Sequence, residues 1–132
     1  MARVYDYLKE AGTYYLATVD GNQARVRPFG TIHLFEDRLY IQTGLKKNVA
    51  RQIALNPNVE ICAMAKDGSS WIRVSGTLVL DERIEAQISM LNAYPSLKGL
   101  YQPGDGNTAV YYIAGGEAVI ASFVKEPELL KF

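Results

Sequence analysis

Apolar residues recur along this chain with two different periods, and the switches between them mark out the elements. In residues 2–11, Val4, Tyr7, Leu8 and Ala11 fall on one face of a helix that Gly12 stops. Residues 13–19 (TYYLATV) predict a strand, and Asp20-Gly21-Asn22 predicts a hairpin turn. The return strand spans residues 23–35 with period two. Ala24, Val26, Pro28, Gly30, Ile32 and Leu34 share one face, and Arg25, Arg27, Phe29, Thr31, His33 and Phe35 share the other. Pro28 cannot donate to a ladder and Gly30 packs no side chain, so the middle of this strand is expected to bend or to lie at an edge.

Glu36-Asp37 turns the chain into a strand over residues 38–43 (RLYIQT), ended by Gly44. Residues 46–55 place Val49 and Ile53 four apart with Ala50 and Ala54 beside them, an amphipathic helix that Asn56-Pro57 breaks. Residues 59–65 and 70–80 read as two strands around Asp67-Gly68. Asp81 is the expected N-cap of a helix carrying Ile84, Ile88 and Leu91, with Glu82 in its first turn. Tyr94-Pro95 interrupts that helix, and Leu97, Leu100 and Tyr101 suggest a short second one. Residues 109–114 and 117–123 flank Gly115-Gly116, the pattern of a tight hairpin. The expectation is about seven mostly hairpin-connected strands with helical connections. That is a mainly β architecture, closed or nearly closed into an antiparallel barrel so that few edges stay exposed.

Length and composition narrow this further. A chain of 132 residues fits one domain, 1–132, and can bury enough surface to fold without disulfide or metal. One cysteine excludes an internal disulfide, and no metal-ligand spacing is present. Fourteen basic residues balance fourteen acidic ones, which argues against a protein that coats nucleic acid or an anionic membrane. MARVYDYLKEAG carries charges where a signal peptide would be apolar, and no apolar run is long enough to span a bilayer. A soluble, cytoplasmic protein is expected.

The candidate chemistry lies between Arg25 and Arg51. Arg25 and Arg27 share a strand face, and Thr43-Gly44 leads into Lys46-Lys47-Asn48 at a helix start. Helix N-termini offer unpaired N–H groups and partial positive charge, which suits a phosphate. Lysines placed there oppose the helix dipole unless an anion compensates, and such a local conflict is typical of a site. The plainer alternative is a solvated basic helix end, with the strand arginines paired to surface acids.

RVRPFG, LYIQTGLKKNVARQIALNPNVEICA and WIRVSGTLVL, in that order, resemble the pyridoxamine 5′-phosphate oxidase-like, FMN-binding split-barrel family over nearly the whole chain. The resemblance implies a six- to seven-stranded antiparallel split β-barrel of Greek-key type, typically a homodimer with FMN at the subunit interface. It gives the FMN phosphate to Arg25 or Arg27, with Thr43 as a hydroxyl donor and Lys46 and Lys47 as cations. It puts backbone around Val26, Arg27 and Pro28 along the isoalloxazine edge and Gln42 near the ring or ribityl chain. Trp71 or Arg73 would act across the interface. The family's oxidase proper grips its substrate with a C-terminal segment containing Arg and Trp. Here no Arg follows Arg83 and no Trp follows Trp71, so oxidation of pyridoxine 5′-phosphate is not expected. The implied function is that of a flavin-dependent oxidoreductase, reductase-like, acting on an unassigned small molecule with a nicotinamide donor such as NAD(P)H and no dedicated acid–base residue.

Two rival classes remain at this level. One is a barrel that stores or senses FMN or haem without turnover. The other is an oligonucleotide-binding barrel using Arg25, Arg27 and exposed tyrosines, against which the zero net charge speaks. His33 reads as a surface or interface histidine, Cys62 as a buried inert thiol, and Trp71 as core or interface packing. Of Tyr111 and Tyr112, one is expected in the core, and Glu82 and Glu85 are expected on a solvated helix face.

Overall fold

Period-two burial is clearest in β5 (Asn58–Met64), where Val59, Ile61 and Ala63 are buried and Asn58, Glu60, Cys62 and Met64 are exposed. The computed structural model describes residues 1–132. It contains seven further strands: β1 (Tyr14–Asp20), β2 (Gln23–Phe29), β3 (His33–Phe35), β4 (Arg38–Gly44), β6 (Ser70–Asp81), β7 (Thr108–Ser122) and β8 (Glu128–Lys131). The helices are α1 (Ala2–Ala11), α2 (Asn48–Leu55) and α3 (Ile84–Ala93), with a 3₁₀ turn over Pro95–Gly99.

All eight strands belong to one antiparallel sheet in the order β2-β1-β5-β6-β7-β4-β3, with β8 added on β7. The two ends of that order, β2 and β3, are neighbours in the chain. The few residues between Phe29 and His33 reach at most on the order of 14 Å, so the sheet must curl until its edges approach. Tyr14 helps hold the seam, its hydroxyl donating to the Thr31 carbonyl at 2.6 Å. β2 and β3 do not pair, so the barrel is split. Its interior holds Leu16, Leu39, Ile41, Ile61, Ile72, Val74 and Tyr111, closed by Val4 and Leu8 of α1 and by Val49 and Ile53 of α2. A smaller cluster of Tyr40, Ala86, Met90 and Val110 lies between β4, β7 and α3.

Several expectations change in detail. The long second strand is two, β2 and β3, broken where Pro28 and Gly30 suggested a bend, and β2 is a sheet edge. Residues 109–123 form no hairpin: β7 runs through Gly115-Gly116, because both of its halves pair with β6. The two glycines oppose Gly76 at a register shift between Ser75 and Thr77, a bulge in place of a turn. Asp81 caps no helix. It ends β6, and α3 starts after Arg83 without a side-chain cap. In α3 the buried residues are Ala86, Gln87, Met90 and Leu91, while Ile84 and Ile88 are each 43% exposed. Cys62 is exposed, because its apolar neighbours Ile61 and Ala63 point to the opposite face of β5. Tyr111 is core, and Tyr112 is half-buried under Arg38, whose guanidinium sits 4.1 Å from its ring centroid. No helix is long and apolar enough to cross a membrane.

Candidate functional site

α2 packs on β1 and β4 through Val49, Ala50 and Ile53, which turns its polar stripe of Lys47, Asn48, Arg51 and Gln52 toward the free edge of β2. Between them runs an open groove of about 720 Å³ lined by these four residues with Asp20, Arg25, Val26 and Arg27. That volume lies within the range of small-molecule sites. Four of the lining side chains are cations and one is an acid.

The cations are held differently. Arg25 is exposed and its Nε donates to Asp20 at 3.2 Å. Arg27 pairs across to Leu16 and turns toward the core side of β1, where it is half-buried. Its Nη1 donates to the Leu16 carbonyl and the Thr18 hydroxyl at 3.1 and 2.8 Å, and its Nη2 to Gln52 Oε1 at 2.6 Å. Burial, and then the neighbouring Arg25, pull the Arg27 pKa below its ordinary value. Arg51 leans on Asn48 Oδ1 at 2.7 Å. Lys47 is the N-cap residue of α2, and no side chain caps that helix. The first N–H groups of α2 therefore lack intrachain side-chain partners, and cationic side chains surround them.

Of the residues singled out from sequence, Arg25, Val26, Arg27 and Lys47 come together here. Pro28 lies beside them on the edge strand, exposed and opposite Tyr15. Lys46 is exposed outside the groove walls, its backbone N–H donating to Asn107 Oδ1 at 3.1 Å. Alternation along β4 separates the other two polar residues. Thr43 falls on the face of Leu39 and Ile41, toward the core that α2 closes, whereas Gln42 falls with Tyr40 on the α3 side. Gln42 is buried, and neither end of its amide has a hydrogen-bond partner. Trp71 lies on the opposite face of the sheet from the core, between Met64 and Ala121, edge-on to Phe123 at 5.1 Å. His33 bonds Ser89 at 2.7 Å on the α3 side, with its pKa lowered by burial and then by Lys9.

Sequence reasoning missed Thr18 and Gln52, and gave no role to Asn48 and Arg51, which lie within its candidate stretch. The last three carried a signal: with Lys47 they form the pairs 47/51 and 48/52, a polar stripe at helical spacing opposite the apolar face.

Residues 2–118 match the family model of pyridoxamine 5′-phosphate oxidase. The chain belongs to this family. Several solved structures share its fold. A NimC/NimA family protein from Clostridium acetobutylicum is 44% identical with a TM-score of 0.96, covering 100% of this chain and 92% of that one. General stress protein 26 from Bacillus anthracis is 22% identical with a TM-score of 0.76, covering 99% and 97%. A pyridoxamine 5′-phosphate oxidase-related, FMN-binding protein from Nostoc punctiforme is 17% identical with a TM-score of 0.63, covering 99% and 94%. A haem-binding protein from Mycobacterium smegmatis shares the fold at 13% identity and a TM-score of 0.72, covering 95% of this chain and 57% of that one. Among curated proteins none matches the chain.

Proposed function

We propose that this protein is an FMN-dependent oxidoreductase, reductase-like, working as a homodimer with FMN at the interface and acting on a small molecule. The observation that carries the reading is the groove between β2 and α2, where Arg25, Arg27, Lys47 and Arg51 face a single carboxylate, Asp20. A phosphate monoester carries close to two negative charges at neutral pH, and charge-assisted hydrogen bonds to it are the strong ones. This donor set fits that group. Arg27 and Lys47 would hold the phosphate with the N-terminal amides of α2, and Arg25 and Arg51 would flank it. The free edge of β2 at Val26, Arg27 and Pro28 offers unpaired backbone groups for the rim of a ring system, with Pro28 removing one donor. FMN supplies the electron chemistry when bound, here between a nicotinamide donor such as NAD(P)H and the acceptor. The chain's own part is to bind, orient and exclude water.

The alternative of a storage or sensing module differs from this in turnover rather than in the site. Flavin is favoured over haem because the one histidine, His33, is engaged by Ser89 on the α3 side, away from the groove.

The test is a titration followed by reduction. The protein is expected to bind FMN and to lose about 1–3 kcal/mol of that affinity in Lys47→Ala, the range for one charged hydrogen bond. Equal affinities would remove Lys47 from the site. NADH or NADPH is then expected to bleach the flavin absorbance, whereas stable yellow colour under excess of both would leave a binding module.

A further inference from the structure

The guanidinium of Arg27 is already oriented before any anion arrives. It has five N–H donors in a planar fork. Two bonds from Nη1, to the Leu16 carbonyl and Thr18 Oγ1, and one from Nη2, to Gln52 Oε1, use three of them. Thr18 Oγ1 in turn donates to the same Gln52 oxygen at 2.6 Å. Those two acceptor oxygens, hydrogen-bonded to one another, sit side by side before Nη1 and Nη2 and occupy the end of the fork. What remains is Nε–H and the second Nη2–H, side by side on one edge. That edge is the geometry that takes an oxyanion through two parallel bonds.

Every group holding Arg27 is neutral. Arg25, by contrast, leans on the Asp20 carboxylate. A carboxylate at position 52 would hold Arg27 equally well but would cancel its charge. An amide oxygen holds the fork and leaves the full positive charge available.

We propose that Gln52, backed by Thr18, is a positioning residue for phosphate binding: it clamps one end of the Arg27 guanidinium and reserves the other edge for the anion. This rests on the reading that the groove takes the phosphate of FMN. Gln52 lines that groove together with Arg27, while Leu16 and Thr18 are buried behind it.

The experiment separates the phosphate from the rest of the flavin. Wild type, Gln52→Met and Gln52→Glu are each titrated with FMN and with riboflavin by flavin fluorescence, with thermal melts alongside. Wild type is expected to prefer FMN. Gln52→Met, similar in length but without a strong acceptor, is expected to bind FMN about tenfold more weakly, the loss of roughly one hydrogen bond to a charged group, with riboflavin affinity unchanged. Gln52→Glu keeps the clamp but sets a negative charge beside the anion, so it is expected to melt no lower than wild type and to lose preference for FMN through charge alone. If Gln52→Met fails to fold, Thr18→Val, which removes only the backing hydroxyl, decides by the same comparison of FMN with riboflavin. Wild type preferring FMN while the variants keep that preference would overturn the positioning role and leave the groove reading standing. Equal loss of FMN and riboflavin would likewise assign Gln52 to folding alone. Wild type that does not distinguish FMN from riboflavin would overturn both.

Discussion

The carboxylate of Asp81 receives four hydrogen bonds: from the Tyr40 hydroxyl at 2.7 Å, the Arg83 backbone N–H at 3.2 Å, and Arg83 Nε and Nη2 at 3.0 and 2.9 Å. Arg83 also reaches Glu36 at 2.7 Å, which ties the β3–β4 turn to the end of β6. The Arg83 guanidinium holds the Asp81 carboxyl down from 3.8 to about 2, against burial, which pushes it up, and with help from Tyr40. A carboxyl depressed in the folded state stabilises above its unfolded pKa and loses that contribution as pH falls through its folded one. Asp81→Asn is therefore expected to melt below wild type at pH 7, with the gap closing between about pH 4 and about pH 2. Melting curves across that range check it, and a gap that stays constant would mean that Asp81 contributes by shape alone. The same residue shows why single positions mislead. Asp before a helix favours the N-cap reading, yet here Asp81 pairs with Val110 in the sheet, and its carboxylate is claimed by Tyr40, which lies 41 positions away in the chain.

At the scale of elements, the bulge joining β6 to β7 is the feature with the clearest cost. Gly76 has no room for a side chain: a Cβ there would lie 2.7 Å from Ile113 Cγ2 and 3.0 Å from the Ala114 carbonyl oxygen. Gly115 opposite has φ +60, which L side chains rarely adopt. Gly76→Val is expected to lower unfolding free energy by about 1–3 kcal/mol or more, the range for forcing volume into a packed site. Denaturant midpoints measure it, and an unchanged midpoint would show that the bulge relaxes freely. Helices and strands with a single apolar face were legible: α1 buries Val4, Tyr7 and Leu8 as their spacing predicts. α3 was legible as a helix but its buried face was not, because it is apolar on two sides and only the position of the sheet selects Met90 and Leu91 over Ile84 and Ile88. Glycine pairs carry a similar ambiguity. A turn and a bulge ask for the same backbone freedom, and the choice between them depends on which strand lies alongside.

For the whole molecule, the face of the sheet turned away from the core raises the question of partners. Registers align Pro28, Tyr15, Cys62, Arg73, Val119 and Leu129 in one row across six strands. Tyr15 is 51% and Leu129 72% exposed, and Trp71 and Phe123 lie on the same side. A broad face on which exposed aromatic and apolar side chains sit among charges such as Arg73, Glu60 and Glu117 suits burial against a second copy. Light scattering is expected to give twice the 14.7 kDa chain mass, and Tyr15→Glu to shift it toward one. A monomeric wild type with FMN bound would place the cofactor in a single chain.

What the sequence determined by itself was whatever depends on local periodicity and chemistry. The β-rich class, the amphipathic helices, the break near Pro28 and the concentration of cations along the stretch 25–51 follow from side-chain type and spacing alone. The tertiary structure decided what depends on contacts between distant segments. It set the two glycines into a bulge and sent Gln42 and Thr43 to opposite faces. It brought Thr18 and Gln52, 34 positions apart, within 2.6 Å of one another around Arg27. The physical reason is that a strand reports which residues share a face but not what that face meets. Only the curling of the sheet, forced by the short connection between its first and last strands, places α2 beside β2.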